Sequence, residues 1–155
     1  MTSSAHGYAG RVVDQENELQ RMTIDYLLLA DGAQVQNGKL YVLGGGWERL
    51  QFETFPQTIP VGIALGVRVP WGETNRKHAF SIRGLSADGE ELFKGEGEFE
   101  LGRPPGLPAG QSQIFQVAVQ LPLPVPAPGH YSVEATIDDG AASRTIPYFA
   151  VNVGG

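Results

Sequence analysis

From Val61 to Val69 the chain reads "VGIALGVRV", which puts Val61, Ile63, Leu65, Val67 and Val69 on one face of an extended segment and Gly62, Ala64, Gly66 and Arg68 on the other. Side chains alternate across a strand with period two. The segment is therefore predicted as a strand with one core face. The same alternation returns at Phe80 and Ile82, at Phe99 and Leu101, at Phe115, Val117, Val119 and Leu121, and at Tyr131, Val133, Ala135 and Ile137. Glu96, Glu98 and Glu100 fall opposite Phe99 and Leu101, as expected of a solvated strand face. Two earlier runs, one with Ile24, Tyr26, Leu27, Leu28 and Leu29 and one with Leu40, Tyr41, Val42 and Leu43, are apolar on both faces and predict well-buried strands. "NGK" between them is a turn signal, because Asn and Gly adopt positive φ at little cost. "SADGEEL" predicts a second hairpin, and "IDDGAASRTIPYFAVNV" a third that leads into a last strand. Pro147 in that strand has no N–H to donate and marks an edge or a bulge.

About eight such strands, with no amphipathic helix of a dozen residues between them, predict an all-β fold. An antiparallel β-sandwich, immunoglobulin-like or similar, is the first reading and a closed barrel the runner-up, since periodicity does not count sheets. Residues 22–155 form the single sandwich domain of this reading, and residues 1–21 a flexible polar tail that lacks an apolar stripe. "GRPPGLPAGQSQ" is expected to be a loop crossing between sheets, and "LPLPVPAPGHY" a proline-rich connection between strands.

Composition narrows this picture. At 155 residues the chain suffices for one ordinary domain. Its 21 Gly and 11 Pro suit turn-rich β structure. A formal charge of −6, with 11 scattered Lys and Arg, opposes a nucleic-acid or acidic membrane partner, which needs a cationic face. The absence of cysteine removes disulfides, thiolate metal sites and cysteine nucleophiles. The first twenty residues carry no apolar run after a basic start, so no signal peptide is read there, and a cytoplasmic protein is the expectation.

The segments "DYLLLADGAQVQNGKLYVLGGGW", "VRVPWGETNRKHAFSI", "GRPPGLPAG" and "LPLPVPAPGHYSVEATIDDG" together resemble a family of small bacterial proteins known only as a domain of unknown function. The resemblance runs from about residue 23 through most of the chain. It implies a small all-β domain of bacterial origin and carries no activity, so no catalytic residue is transferred. The hairpin "PAPGHYSVEATIDDG" also looks like the last hairpin of many immunoglobulin-like sandwiches, an analogy of fold alone.

Candidate chemistry is sparse. "LGGGW" lacks the Lys-Ser or Lys-Thr and the helix start of a phosphate loop, and reads as a bulge or turn. Asp88, Asp138 and Asp139 are expected as turn residues; no acidic spacing fits a calcium cage, and no metal or cofactor is expected. No nucleophile elbow or zinc-peptidase motif occurs, and His6, His78 and His130 are scattered, so no catalytic residue is assigned. The loop "PWGETNRKH" stands out: Trp71 with Glu73, Asn75, Arg76 and His78 has the composition of a recognition patch, a rigid aromatic among adaptable polar groups. Its other reading is a plug, with Trp71 folded over the end of the sandwich. The functional expectation is a non-catalytic domain that binds a protein partner or its own copies. A carbohydrate-binding module using Trp71 or Trp47 is the alternative, and a hydrolase using His78 with a carboxylate is third.

Overall fold

The computed structural model describes residues 21–154, and the expected N-terminal tail lies almost wholly outside them. Nine strands occur among the described residues: β1 (Thr23–Gln36), β2 (Lys39–Gly45), β3 (Arg49–Phe52), β4 (Gln57–Val69), β5 (His78–Ser86), β6 (Glu91–Phe99), β7 (Gln113–Val125), β8 (Gly129–Ile137) and β9 (Ala142–Asn152). They form two open sheets, β2-β1-β4-β7 and β3-β9-β8-β5-β6, and neither closes into a barrel. Every strand pair is antiparallel except β3 with β9.

The alternation read from the sequence builds the space between the sheets. Val61, Ile63, Leu65, Val67 and Val69 of β4 point inward, together with Leu27 and Leu29 of β1, and meet Ile82, Val133, Ala135, Ile137 and Tyr148 from the other sheet in one buried cluster. Each aliphatic side chain so removed from water contributes about 1.5–3 kcal/mol. Phe99 of β6 stacks on Phe115 of β7 with ring centroids 4.1 Å apart. The sheets thus meet along the β6/β7 side as well.

All three hairpins form where turn chemistry placed them. Asn37 and Gly38, Gly89, and the pair Asp138 and Asp139 take the positive φ that those turns require. The segment after β6 does cross between the sheets. Pro147 also sits as expected: β3 pairs with β9 only from Phe149 onward, so the proline meets the stretch of β9 whose outer edge is open.

Three expectations need correction. The proline-rich connection is not a connection through its first half, because Leu121–Val125 belongs to β7, with Leu123 and Val125 buried and Pro122 and Pro124 turned the other way. Proline is tolerated there because β7 is the last strand of its sheet and needs no donors on its free side. The strand expected over Phe99 and Leu101 ends at Phe99. The third concerns β4 and β2. The outer face of β4 was expected to be open and β2 to be buried; the reverse holds. β1 pairs with β4 only up to Ala30, and from Ala30 it pairs with β2, so the β1–β2 hairpin curls over the outer face of β4. Ala30, Ala33 and Ala64 form a second small core there, flanked by Tyr26, Leu28, Leu40 and Ala118. The close approach needs glycine on β4. A Cβ at Gly62 would lie 2.6 Å from the Ala33 nitrogen, and one at Gly66 would lie 2.1 Å from the Tyr26 ring. Gln116 and Gln120 of β7 latch the hairpin by donating to the carbonyls of Gly38 and Ala33. The cost of this cover is that β2 becomes an exposed edge.

Candidate functional site

The "PWGETNRKH" loop joins β4 to β5 at one end of the sandwich, and its first residues form a short 3-10 turn, Trp71–Glu73. Trp71 is half-buried, and its partner comes from the β6–β7 segment. The Arg103 guanidinium carbon stands 3.6 Å from the centroid of the Trp71 ring, a cation–π stack. The same guanidinium donates from Nη2 to the Trp71 carbonyl at 2.8 Å and from Nε to Thr74 Oγ1 at 2.7 Å. Thr74 is buried and in turn donates to the Trp71 carbonyl. Asn75, held at φ 60, donates its N–H to the Leu101 carbonyl at 2.7 Å. The two loops are therefore pinned to each other by Arg103.

His78 is the other fixed point. Its side chain is 3 % exposed, with Nδ1 2.6 Å from Asp138 Oδ2 and Nε2 2.7 Å from the Glu73 carbonyl. A carbonyl cannot donate, nor can an ionised carboxylate, so both contacts are satisfied together only when the ring carries two protons. Burial by itself lowers the His78 pKa, but the Glu73 carbonyl and the Asp138 carboxylate outweigh it and raise the net value above the ordinary one. Asp138 shows the mirror image: burial raises its pKa, while hydrogen bonds from the Ala79 N–H and His78 bring the net value below normal. Asp138 is thus more than a turn residue, since it closes the β5–β8 ladder through its side chain.

Of the candidate residues, Trp71, Glu73 and His78 fall into this one network. Arg76 is exposed and pairs with Glu73 at 3.3 Å, and the Asn75 side chain is exposed. Trp47 lies elsewhere and packs against the core, its indole Nε1 buried without a hydrogen-bond partner. Arg103 was missed because it comes from a proline-rich segment that carries no periodic signal. As chemistry, the arrangement is a clamp. Neither nitrogen of His78 has a free lone pair to serve as a base, and Arg103 covers one face of Trp71, which removes that face as a sugar-stacking platform. Among the described residues no group of three or more His, Asp or Glu side chains is placed to hold a metal ion.

A different surface is open. β2 carries Tyr41, Val42 and Leu43 at 53 %, 37 % and 77 % exposure. A groove of about 370 Å³ is lined by these three together with Gly32, Ala33, Gln34 and Gln120. Leu40 points to the small alanine core, so Val42 shares its side of the strand and Tyr41 and Leu43 face away. Three other strands bound the sheets, and each is guarded. β3 is four residues long, β6 presents Lys94, Glu96 and Glu98, and β7 has Pro122 and Pro124 along one half with β6 packed beside the other. Short length, charge and proline are the means by which natural sheets prevent edge pairing. β2 has none of these apart from Lys39 at its start. The sequence does contain the signal, an uncharged "LYVLGGG" run next to a turn, but the same run also fits a buried strand.

No helix among the described residues is long and apolar enough to cross a membrane. No curated protein matches the chain. A family profile does match over residues 25–147, which reach from the start of β1 to Pro147 in β9, and the all-β sandwich just described is the fold of that matched region. The chain belongs to this family, a family of unknown function (DUF6941).

Proposed function

We propose that this domain is a non-catalytic binding and assembly module whose contact surface is the β2 edge. The observation that carries the reading is the contrast among sheet edges: β2 alone, among the described strands, joins an unguarded backbone edge to three exposed apolar side chains. An extended segment from another chain that adds to such an edge gains main-chain hydrogen bonds along its length and apolar contacts at alternate positions. Because the glutamine latch and the alanine core already hold the hairpin in place, ordering costs at this edge are low. The Trp71–Arg103 clamp and the His78–Asp138 pair tie the β4–β5 loop to its neighbours and take no part in recognition. The strand order also supports the finer reading of an immunoglobulin-like sandwich, with β1-β4-β7 facing β9-β8-β5-β6 and the β1–β2 hairpin as an addition.

The test uses the full chain and its Leu43→Glu variant, a change at an exposed site expected to alter stability by about 0.5 kcal/mol or less. Wild-type protein should self-associate, or retain a protein partner on a column, and the variant should do neither while its melting temperature is unchanged. Binding that survives the substitution would place the contact surface elsewhere.

A further inference from the structure

We infer that the occupant of the β2 edge is the β2 edge of a second copy, paired antiparallel about a two-fold axis at Val42. This rests on the reading of β2 as the contact surface and adds its partner and register. In an antiparallel pair, directly opposed residues lie on the same face of the sheet. A two-fold axis through Val42 sets Tyr41 against Leu43 of the second copy, and Leu43 against Tyr41. These are the two most exposed large apolar residues of the strand, at 53 % and 77 %, and they share a face. Each copy thus covers the residues that the other leaves bare. Leu40 falls opposite Gly44, where no side chain opposes it.

The charges fit as well. Lys39 is the only charged residue of β2, and the pairing sets it opposite Gly45 of the second copy, so no like charges meet along the strand despite a net charge of −6. Asp31 stands at that same end, its carboxylate beside Gly44. By its pairing register Asp31 falls on the Leu40 and Val42 side of the sheet, so it neither pairs with nor opposes the Lys39 side chain of the second copy. The product is one continuous sheet of eight strands, closed by symmetry because each copy uses the one edge left unguarded among its described strands. One strand pair buries less than the roughly 1,200–2,000 Å² of a stable standard interface. The association is accordingly concentration-dependent.

The chain has no cysteine, which makes cross-linking a clean reporter of the axis. Residues on a two-fold axis face their own copies, with Cβ atoms about 4.5–5.5 Å apart, close to disulfide geometry. Under mild oxidation Val42→Cys should form a covalent dimer, and Tyr41→Cys or Leu43→Cys alone should form far less. An equimolar mixture of Tyr41→Cys and Leu43→Cys chains should cross-link to a mixed dimer. Sedimentation of the cysteine-free wild type should show a dimer that grows with concentration, shifted at least tenfold toward monomer by Leu43→Glu. A wild-type monomer throughout, or cross-linking stronger at Tyr41→Cys than at Val42→Cys, would overturn the pairing. If the wild type is monomeric yet loses a protein partner on Leu43→Glu, the second copy is wrong and the contact surface stands.

Discussion

With a carboxylate on one nitrogen and a carbonyl on the other, His78 is held as a cation inside the fold, and that has a consequence in pH. A raised folded-state pKa adds stability that is complete below the unfolded value near 6.5 and is lost as pH rises through the folded value. Asp138, with its pKa lowered, adds stability above the unfolded value of 3.8 that is lost as pH falls through the folded value. The pair therefore stabilises most between these limits. Denaturation of wild type and His78→Gln should show the larger stability gap near pH 5 and a narrower one at pH 9; a gap that widens at pH 9 would contradict the doubly protonated ring. Arg103 makes the second residue-scale case. Arg103→Ala removes the charged donor shared by Thr74 Oγ1 and the Trp71 carbonyl, the carbonyl keeping its bonds from Thr74, and should cost about 1–3 kcal/mol. Trp71→Ala should cost less than the roughly 3–5 kcal/mol of a fully buried aromatic, because the ring is only half-covered. Trp71 was legible as a half-buried aromatic at a strand end. Its partner, 32 residues away along the chain, was not, because no local pattern records a contact made across two loops.

At the scale of strands, glycine opposite an aromatic ring is a repeated device. Gly97 lies opposite Phe80, Gly84 opposite Phe93, and Gly66 beneath Tyr26, and in each case the ring occupies the space of the missing side chain. A Cβ at Gly97 would sit 2.5 Å from Phe80 Cζ, so Gly97→Val should displace that ring and cost about 1–3 kcal/mol as overpacking, seen as a lower denaturation midpoint. The same substitution at Gly32, where no atom lies within 4 Å of an added Cβ, should cost clearly less. The alternation of β4, β5, β7 and β8 was readable from one sequence because burial of one face demands period two. The fate of β2 was not. "LYVL" is equally compatible with a central strand and with an unguarded edge, and which of them it is depends on where the β1–β2 hairpin is laid.

Over the whole molecule, one cluster spans both sheets, so a cavity anywhere in it should weaken the fold as a unit. Ile63→Ala, at a fully buried position, should cost about 2–5 kcal/mol in a single cooperative transition. Calcium at millimolar levels, or its removal by chelator, should leave the melting temperature unchanged, since a ligand that binds only the folded state must raise it. What the sequence by itself determined is the class and the local geometry: an all-β chain, its three tight hairpins, and the inward faces of its main strands. These follow from short-range rules, namely side-chain alternation, the positive φ open to Asn, Asp and Gly, and the donor that proline lacks. Only the tertiary structure decided that two open sheets form instead of a barrel, that Arg103 grips Trp71, that Asp138 reaches His78, and that covering the outer face of β4 turns β2 into a free edge. Each of these joins residues far apart in the chain, and burial rewards an apolar run equally whichever neighbour covers it, so the choice belongs to the assembled fold.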